Sequence, residues 1–120
     1  MRRSPGVDIY VDAFLSTVCD KSRRSILELL ATSDPETGEE RVARRSGDIA
    51  KAINLSPATT SEHLNQLTKA GLVISRRQGN TVYYQLCNHD LVKAFHDLIK
   101  ALDDDYKLQQ DENLRPKNQD

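Results

Sequence analysis

Between Ser56 and Gln66 the chain places Ser56, Ala58, Thr59, Ser61, Glu62, His63, Asn65 and Gln66 almost side by side. Hydroxyl, carboxylate and amide groups at this density can do one kind of chemistry well, hydrogen bonding to base edges in a DNA major groove. Thr60, Leu64 and Leu67 fall four and three residues apart, which predicts a helix with one narrow apolar stripe. The opposite face then carries Thr59, Glu62, Asn65, Gln66 and Lys69. Glu62 accepts from a cytosine amine and repels phosphate, so it adds selectivity rather than affinity. His63 lies beside this face and next to the stripe. Donation to a phosphate and packing at the helix–hairpin junction are both open to it, and DNA contact is the preferred reading.

The flanking residues say how such a helix is held. Ser56 caps its start, Pro57 suits the first helical position, and Gly71 supplies a left-handed stop. A ribbon follows at once. Leu72 to Arg77 and Thr81 to Leu86 are strand-like, and Gln78-Gly79-Asn80 between them has hairpin-turn chemistry. Arg76, Arg77 and Asn80, at and near the tip, are predicted to hold phosphates or enter a minor groove. The competing role for either arginine is a cross-strand ion pair. Upstream, Ser46 opens a short helix with Ile49, Ala50 and Ile53 inward and Asn54 as its left-handed end. Two short helices, a tight turn and a basic hairpin describe a winged helix-turn-helix.

Earlier in the chain, Val7, Val11, Phe14 and Val18 recur at helical spacing, and Ile9, Tyr10 and Leu15 widen that surface. Asp20 is placed to cap a second helix from Lys21 to about Thr32. Arg23 and Arg24 lie in its first turn, against the helix dipole, so each is expected to have a partner, a phosphate or, preferably, an acidic group within the fold. Ser33 to Arg45 reads as an extended loop with a short helical turn near Glu39 to Arg44. Within it, Asp34 to Arg44 is longer than a connection needs and is expected to be an inert insertion. After the hairpin, a last helix carries Leu91, Phe95, Leu98 and Leu102. Residues 1–6 read as a flexible arm, 7–103 as one domain, and 104–120 as a polar, disordered tail. The apolar excess on the first and last helices, Val11, Phe14, Val18, Leu91, Phe95, Leu98 and Leu102, predicts a two-fold interface between protomers.

Bulk properties narrow the function classes. At 120 residues, 38% hydrophobic and 29% charged, the chain builds one small domain with a thin core. Net charge is −1, but from Arg41 to Gln85 seven basic residues face two acids, a balance of +5. A basic middle between acidic flanks suits a phosphate-facing surface. Cys19 and Cys87 form no CxxC and no Cys/His cluster, which excludes a zinc finger and a disulfide scaffold. They leave open a thiol switch, against the commoner case of two structural thiols. His89 and His96 are too far apart on one helix to share an ion. No apolar run reaches membrane-spanning length and no signal peptide is recognisable, so a cytoplasmic protein without membrane contact is expected. There is no Gly-rich phosphate loop, nucleophile elbow or paired-carboxylate cleft, which argues against an enzyme. A winged helix that binds protein or RNA remains the alternative to duplex DNA.

Three segments carry a resemblance: D-K-S-R-R-S-I-L-E-L-L from Asp20, G-D-I-A-K-A-I-N-L-S-P-A-T-T-S-E-H-L-N-Q-L-T-K-A-G-L-V from Gly47, and S-R-R-Q-G-N-T-V-Y-Y-Q-L from Ser75. Together they resemble the arsenic-repressor (ArsR/SmtB) family of bacterial winged-helix regulators, over about Phe14 to Leu102. The resemblance implies a mainly helical homodimer, with four helices, two strands and a fifth helix in that order. It implies that the first and last helices form the dimer seam. It also implies that the fourth helix enters the major groove of a palindromic operator, and that an inducer releases the repressor. The family's metal sites do not match. A Cys-x-Cys pair corresponds to Arg45 and Gly47, and the Asp/His site on the last helix corresponds to Asn88, Asp90, Ala101 and Asp104. Without thiolates or imidazoles, zinc or nickel lacks its preferred donors, so no metal cofactor is expected.

Overall fold

The computed structural model describes residues 3–32 and 42–114. Helix α1 spans Pro5–Val18 and α2 spans Lys21–Ala31. A two-residue strand β1, Arg44–Arg45, precedes α3, Ser46–Ile53, and α4, Pro57–Lys69. The hairpin is β2, Val73–Gln78, and β3, Thr81–Leu86. Helix α5 runs over His89–Leu114.

Local chemistry sets most of these limits. Ser4 caps α1, its hydroxyl accepting from the Val7 N–H at 3.3 Å with Pro5 in the first turn. The helix therefore starts inside the stretch expected to be a flexible arm. Asp20 caps α2 as expected, accepting from the Arg23 N–H at 3.0 Å. Asn54 closes α3 at φ 59, and Gly71 turns the chain out of α4 at φ 75. Gly79 takes φ 62 at the hairpin tip, the two-residue turn that needs glycine first.

The sheet is antiparallel with order β1-β3-β2. Its third strand was not expected, because two residues carry no readable alternation. Arg44 pairs with Tyr84 and Arg45 with Tyr83, so this end of the predicted loop is strand and not a helical turn. Residues 33–41 of that loop lie outside the described residues.

One core joins the elements. Ile26, Leu27 and Leu30 of α2, Ile49 of α3, Leu64 and Leu67 of α4, and Leu72 and Val73 at the ribbon's base are all at most 1% exposed. Val18 and Phe95 join the same cluster, with Phe14 packed against it. The Phe14 and Phe95 rings meet edge to face at 6.2 Å, tying α1 to α5 within the protomer. This corrects part of the predicted dimer seam. Val18 and Phe95 are core residues, and Val11, Phe14 and Leu91 are half-buried, whereas Leu98 and Leu102 remain about half exposed. Ile9, Tyr10, Leu15 and Tyr106 are also exposed.

Helix α5 also continues beyond residue 103, where a disordered tail was expected. Side chains four residues apart support the extension: Lys107 pairs with Asp103 at 3.0 Å, and Gln109 donates to Asp105 at 3.0 Å. Composition marked these residues as polar, which fits an exposed helix as well as it fits disorder.

Candidate nucleic-acid interface

Helix α4 is fixed from below and free above. Its inner stripe, Thr60, Leu64 and Leu67, is 0% exposed. Its first turn is clamped by Ser56, whose hydroxyl accepts from the Thr59 N–H at 3.2 Å and donates to the Thr59 hydroxyl at 2.9 Å. With the stripe held inside, Ser56, Ala58, Thr59, Ser61, Glu62 and Asn65 stand exposed along the outer side, and Lys69, also exposed, borders the cleft toward α1. This surface is mostly uncharged and rich in donors and acceptors.

Two expected members of the reading face lie elsewhere. Gln66 is half-buried and turned toward α1, lining a cleft with Tyr10, Phe14 and Thr17. At 100° per residue it follows His63 around the helix, so its flank meets the α1–α2 corner. His63 is 15% exposed and packs on the start of α2. The Arg23 Nε–H donates to its Nδ1 at 3.3 Å, and Asp20 Oδ1 lies 3.9 Å away. The imidazole is thus tied to the start of α2 rather than to the helix–hairpin junction.

The same corner answers the question raised by Arg23 and Arg24. Arg23 Nη1 donates to the Thr17 carbonyl and Arg24 Nη1 to the Val18 carbonyl, both at 3.2 Å. These are carbonyls at the C-terminal end of α1, whose last turn carries no cation of its own. The arginines satisfy its orphan acceptors and oppose its negative dipole end. The expected internal partners exist, but they are chiefly backbone carbonyls and His63, not an acidic side chain. The Arg23 N–H bond, aided by His63 and the Arg23 charge, lowers the Asp20 carboxyl below its ordinary 3.8.

In the hairpin, Arg76 is opposite Tyr83 and Arg77 opposite Val82. Successive strand residues point to opposite faces, so the two cations project on either side of the ribbon. Both are exposed, as is Asn80 at the tip. Neither arginine forms an ion pair among the described residues, so the expected competing role is not seen there. Arg45 lies across β3 from Arg76, in one row through Tyr83. It is held to Asp48 at 3.0 Å, and this bond raises the guanidinium further above its ordinary value.

The two thiols have different surroundings. Cys87 donates from Sγ to the Gly71 carbonyl at 3.2 Å, and burial pushes its thiol up from the ordinary 9.0. A protonated, bonded thiol is a poor nucleophile. Cys19 is exposed at the end of α1. Among the described residues no three His, Cys, Asp or Glu side chains converge to hold a metal ion.

The model of the bacterial regulatory protein arsR family matches residues 20–75, from the α2 cap into β2. Transcriptional repressor SdpR of Bacillus subtilis is 36% identical over 69 residues, covering 58% of this chain and 67% of that protein. The chain belongs to the arsR family of bacterial regulatory proteins. Within that family it is also similar to the cadmium resistance transcriptional regulatory protein CadC of Listeria innocua, with 40% identity over 78 residues, or 65% of this chain. The matched region spans only 59% of CadC. The homodimeric winged helix-turn-helix DNA-binding domain of Mb0332 from Mycobacterium bovis, a fragment of residues 1–100, superposes with a TM-score of 0.66. That match covers 100% of this chain and 98% of the fragment at 24% identity, which places the arsR-family chain in the winged helix-turn-helix fold. The family is one of regulatory proteins, where the sequence led to the expectation of a non-enzyme.

Proposed function

We propose that this arsR-family chain is a transcriptional repressor that binds double-stranded DNA sequence-specifically as a homodimer. One observation carries the reading. The inner stripe of α4 is wholly buried while its outer side stands free beside two exposed, oppositely directed arginines. A helix of this shape enters a major groove with Ser61, Glu62 and Asn65 toward base edges. Ser56, Ala58 and Thr59 bring its N-terminus, with its positive dipole end, to a phosphate. Arg76, Arg77 and Asn80 take the adjoining backbone or minor groove.

The homodimer is supported by the exposed Leu98 and Leu102 of α5 and Ile9 and Leu15 of α1. Apolar side chains in this number on two neighbouring helices suit burial against a second copy. The similar Mb0332 fragment is homodimeric. Two α4 helices in successive major grooves stand about 34–36 Å apart, which calls for a palindromic operator. The chain would act in the cytoplasm, and an inducer other than a metal at the unmatched family sites would release it.

The test is selection from randomised duplexes, followed by fluorescence anisotropy across a salt series. A palindromic sequence should be enriched. Arg77→Ala should weaken binding to all sequences and reduce the salt slope by about 1. Equal affinity for single-stranded RNA and every duplex, with no enriched sequence, would overturn the reading.

A further inference from the structure

The cleft into which Gln66 turns has a volume of about 410 Å³, within the range of small-molecule sites, about 300–1,000 Å³. Tyr10, Ala13, Phe14 and Thr17 of α1 form one wall. Gln66 and Lys69 of α4 form the other, and the turn at Ala70 and Gly71 closes one end. Its chemistry is divided. Tyr10 and Phe14 offer aromatic surface, while Lys69 offers an ammonium and Gln66 an amide. Among the described residues Lys69 makes no ion pair and the Gln66 amide makes no hydrogen bond. An uncommitted cation and amide beside aromatic rings suit a ligand with one apolar ring and one anionic head.

We propose that this cleft binds a small aromatic carboxylate, and that occupation lowers DNA affinity. The carboxylate pairs with the Lys69 ammonium and accepts from the Gln66 amide, while the ring lies against Phe14 and Tyr10. A second copy of the chain is the poorer occupant. An apolar helix face pressed into the cleft would desolvate Lys69 without pairing it. The coupling rests on the reading of α4 as the DNA-contacting helix. Lys69 and Gln66 both belong to α4, so a bound carboxylate neutralises a cation of that helix and ties its end to α1. Differential affinity of this kind is worth about 5–150-fold.

The test uses the full chain and matched probes: benzoate, salicylate, phenylacetate and indole-3-acetate, each against its neutral amide. Backbone NMR shifts locate binding, and DNA affinity is read separately. At least one acid should shift the Ala13, Thr17, Gln66 and Lys69 signals with a Kd of about 1 mM or tighter, at least tenfold below that of its amide. Lys69→Gln should abolish that preference while keeping the amide's affinity, and Ala13→Trp should remove both. The bound acid should lower DNA affinity about fivefold or more in the parent, and not in Lys69→Gln. Shifts confined to Leu98 and Leu102, equal affinity for acids and amides, or no shift with any of the four acids would overturn the proposal. If the cleft fills but no duplex is bound with or without ligand, the DNA reading fails and the carboxylate site stands. If DNA is bound and the cleft stays empty, the site fails alone.

Discussion

Helices α4 and α5 are both amphipathic, yet they end in opposite conditions. In α4 every apolar stripe residue is sealed within the protomer, and what stays outside is polar. In α5 the stripe is divided: Val92 and Phe95 are buried, while Leu98, Leu102 and Tyr106 are each more than half exposed. The first helix is finished by its own fold. The second offers apolar area that only another surface can cover. Periodicity alone does not separate these cases, because a stripe facing the protomer's core and one facing a second copy have the same spacing.

The largest effect should come from opening the sealed side. Leu64→Ala removes a fully buried side chain and is expected to cost about 2–5 kcal/mol in urea unfolding, whereas Leu108→Ala, on the exposed part of α5, should stay within about 0.5 kcal/mol. Similar losses at both positions would erase the contrast between the helices. The next largest effect concerns assembly. Leu98→Asp with Leu102→Asp should give a helical monomer by sedimentation and circular dichroism. An intact dimer would move the seam off this face. Phe95→Asp is the wrong probe, because Phe95 is a core residue packed on Phe14 and its charge would unfold the protomer.

This division also explains how much was legible in the sequence. Ser56, Asp20, Asn54, Gly71 and Gly79 each act through their own backbone neighbourhood, so cap and turn chemistry located α2 to α4 and the hairpin. The outer side of α4 followed from the stripe for Ser61, Glu62 and Asn65. Gln66 and His63 were misplaced because their environment is made by α1 and α2, distant in the chain. Arg23's bond to His63 spans forty positions. Strand β1 was missed for a related reason, since two residues become a strand only when Tyr83 and Tyr84 are beside them. Val18 and Phe95 of the expected seam went into the protomer's own core because the sequence supplies apolar area without saying which part the protomer uses first.

On the free side of α4 the expected effect is smaller and more selective. Asn65→Ala removes an exposed amide without disturbing the buried stripe. It should leave unfolding unchanged and relax preference at one base pair by about 1–3 kcal/mol. Selection of randomised duplexes with the parent and the variant gives the answer. An unchanged sequence preference would take Asn65 off the reading surface, whereas a loss of stability would mean that its side is not free.

The smallest effect tests the corner that joins α1, α2 and α4. Asp20 accepts from the Arg23 N–H, and its carboxyl is lowered below 3.8 in the fold. A depressed folded value means that the carboxylate stabilises the native state fully above its unfolded pKa, and that the contribution fades as pH falls through the folded one. Asp20→Ala removes the cap and should cost about 1 kcal/mol at neutral pH. Partial exposure of the carboxylate keeps its charge contribution small beside the cap itself. The gap between parent and variant should therefore be flat from neutral pH down to about pH 5 and narrow below about pH 4, measured by urea unfolding at each pH. Because Arg23 also holds the Thr17 carbonyl and His63, the variant should loosen the end of α1 and the flank of α4 together. Faster hydrogen exchange at both places would show that one corner supports both helices. Faster exchange in α2 alone would reduce Asp20 to an ordinary cap.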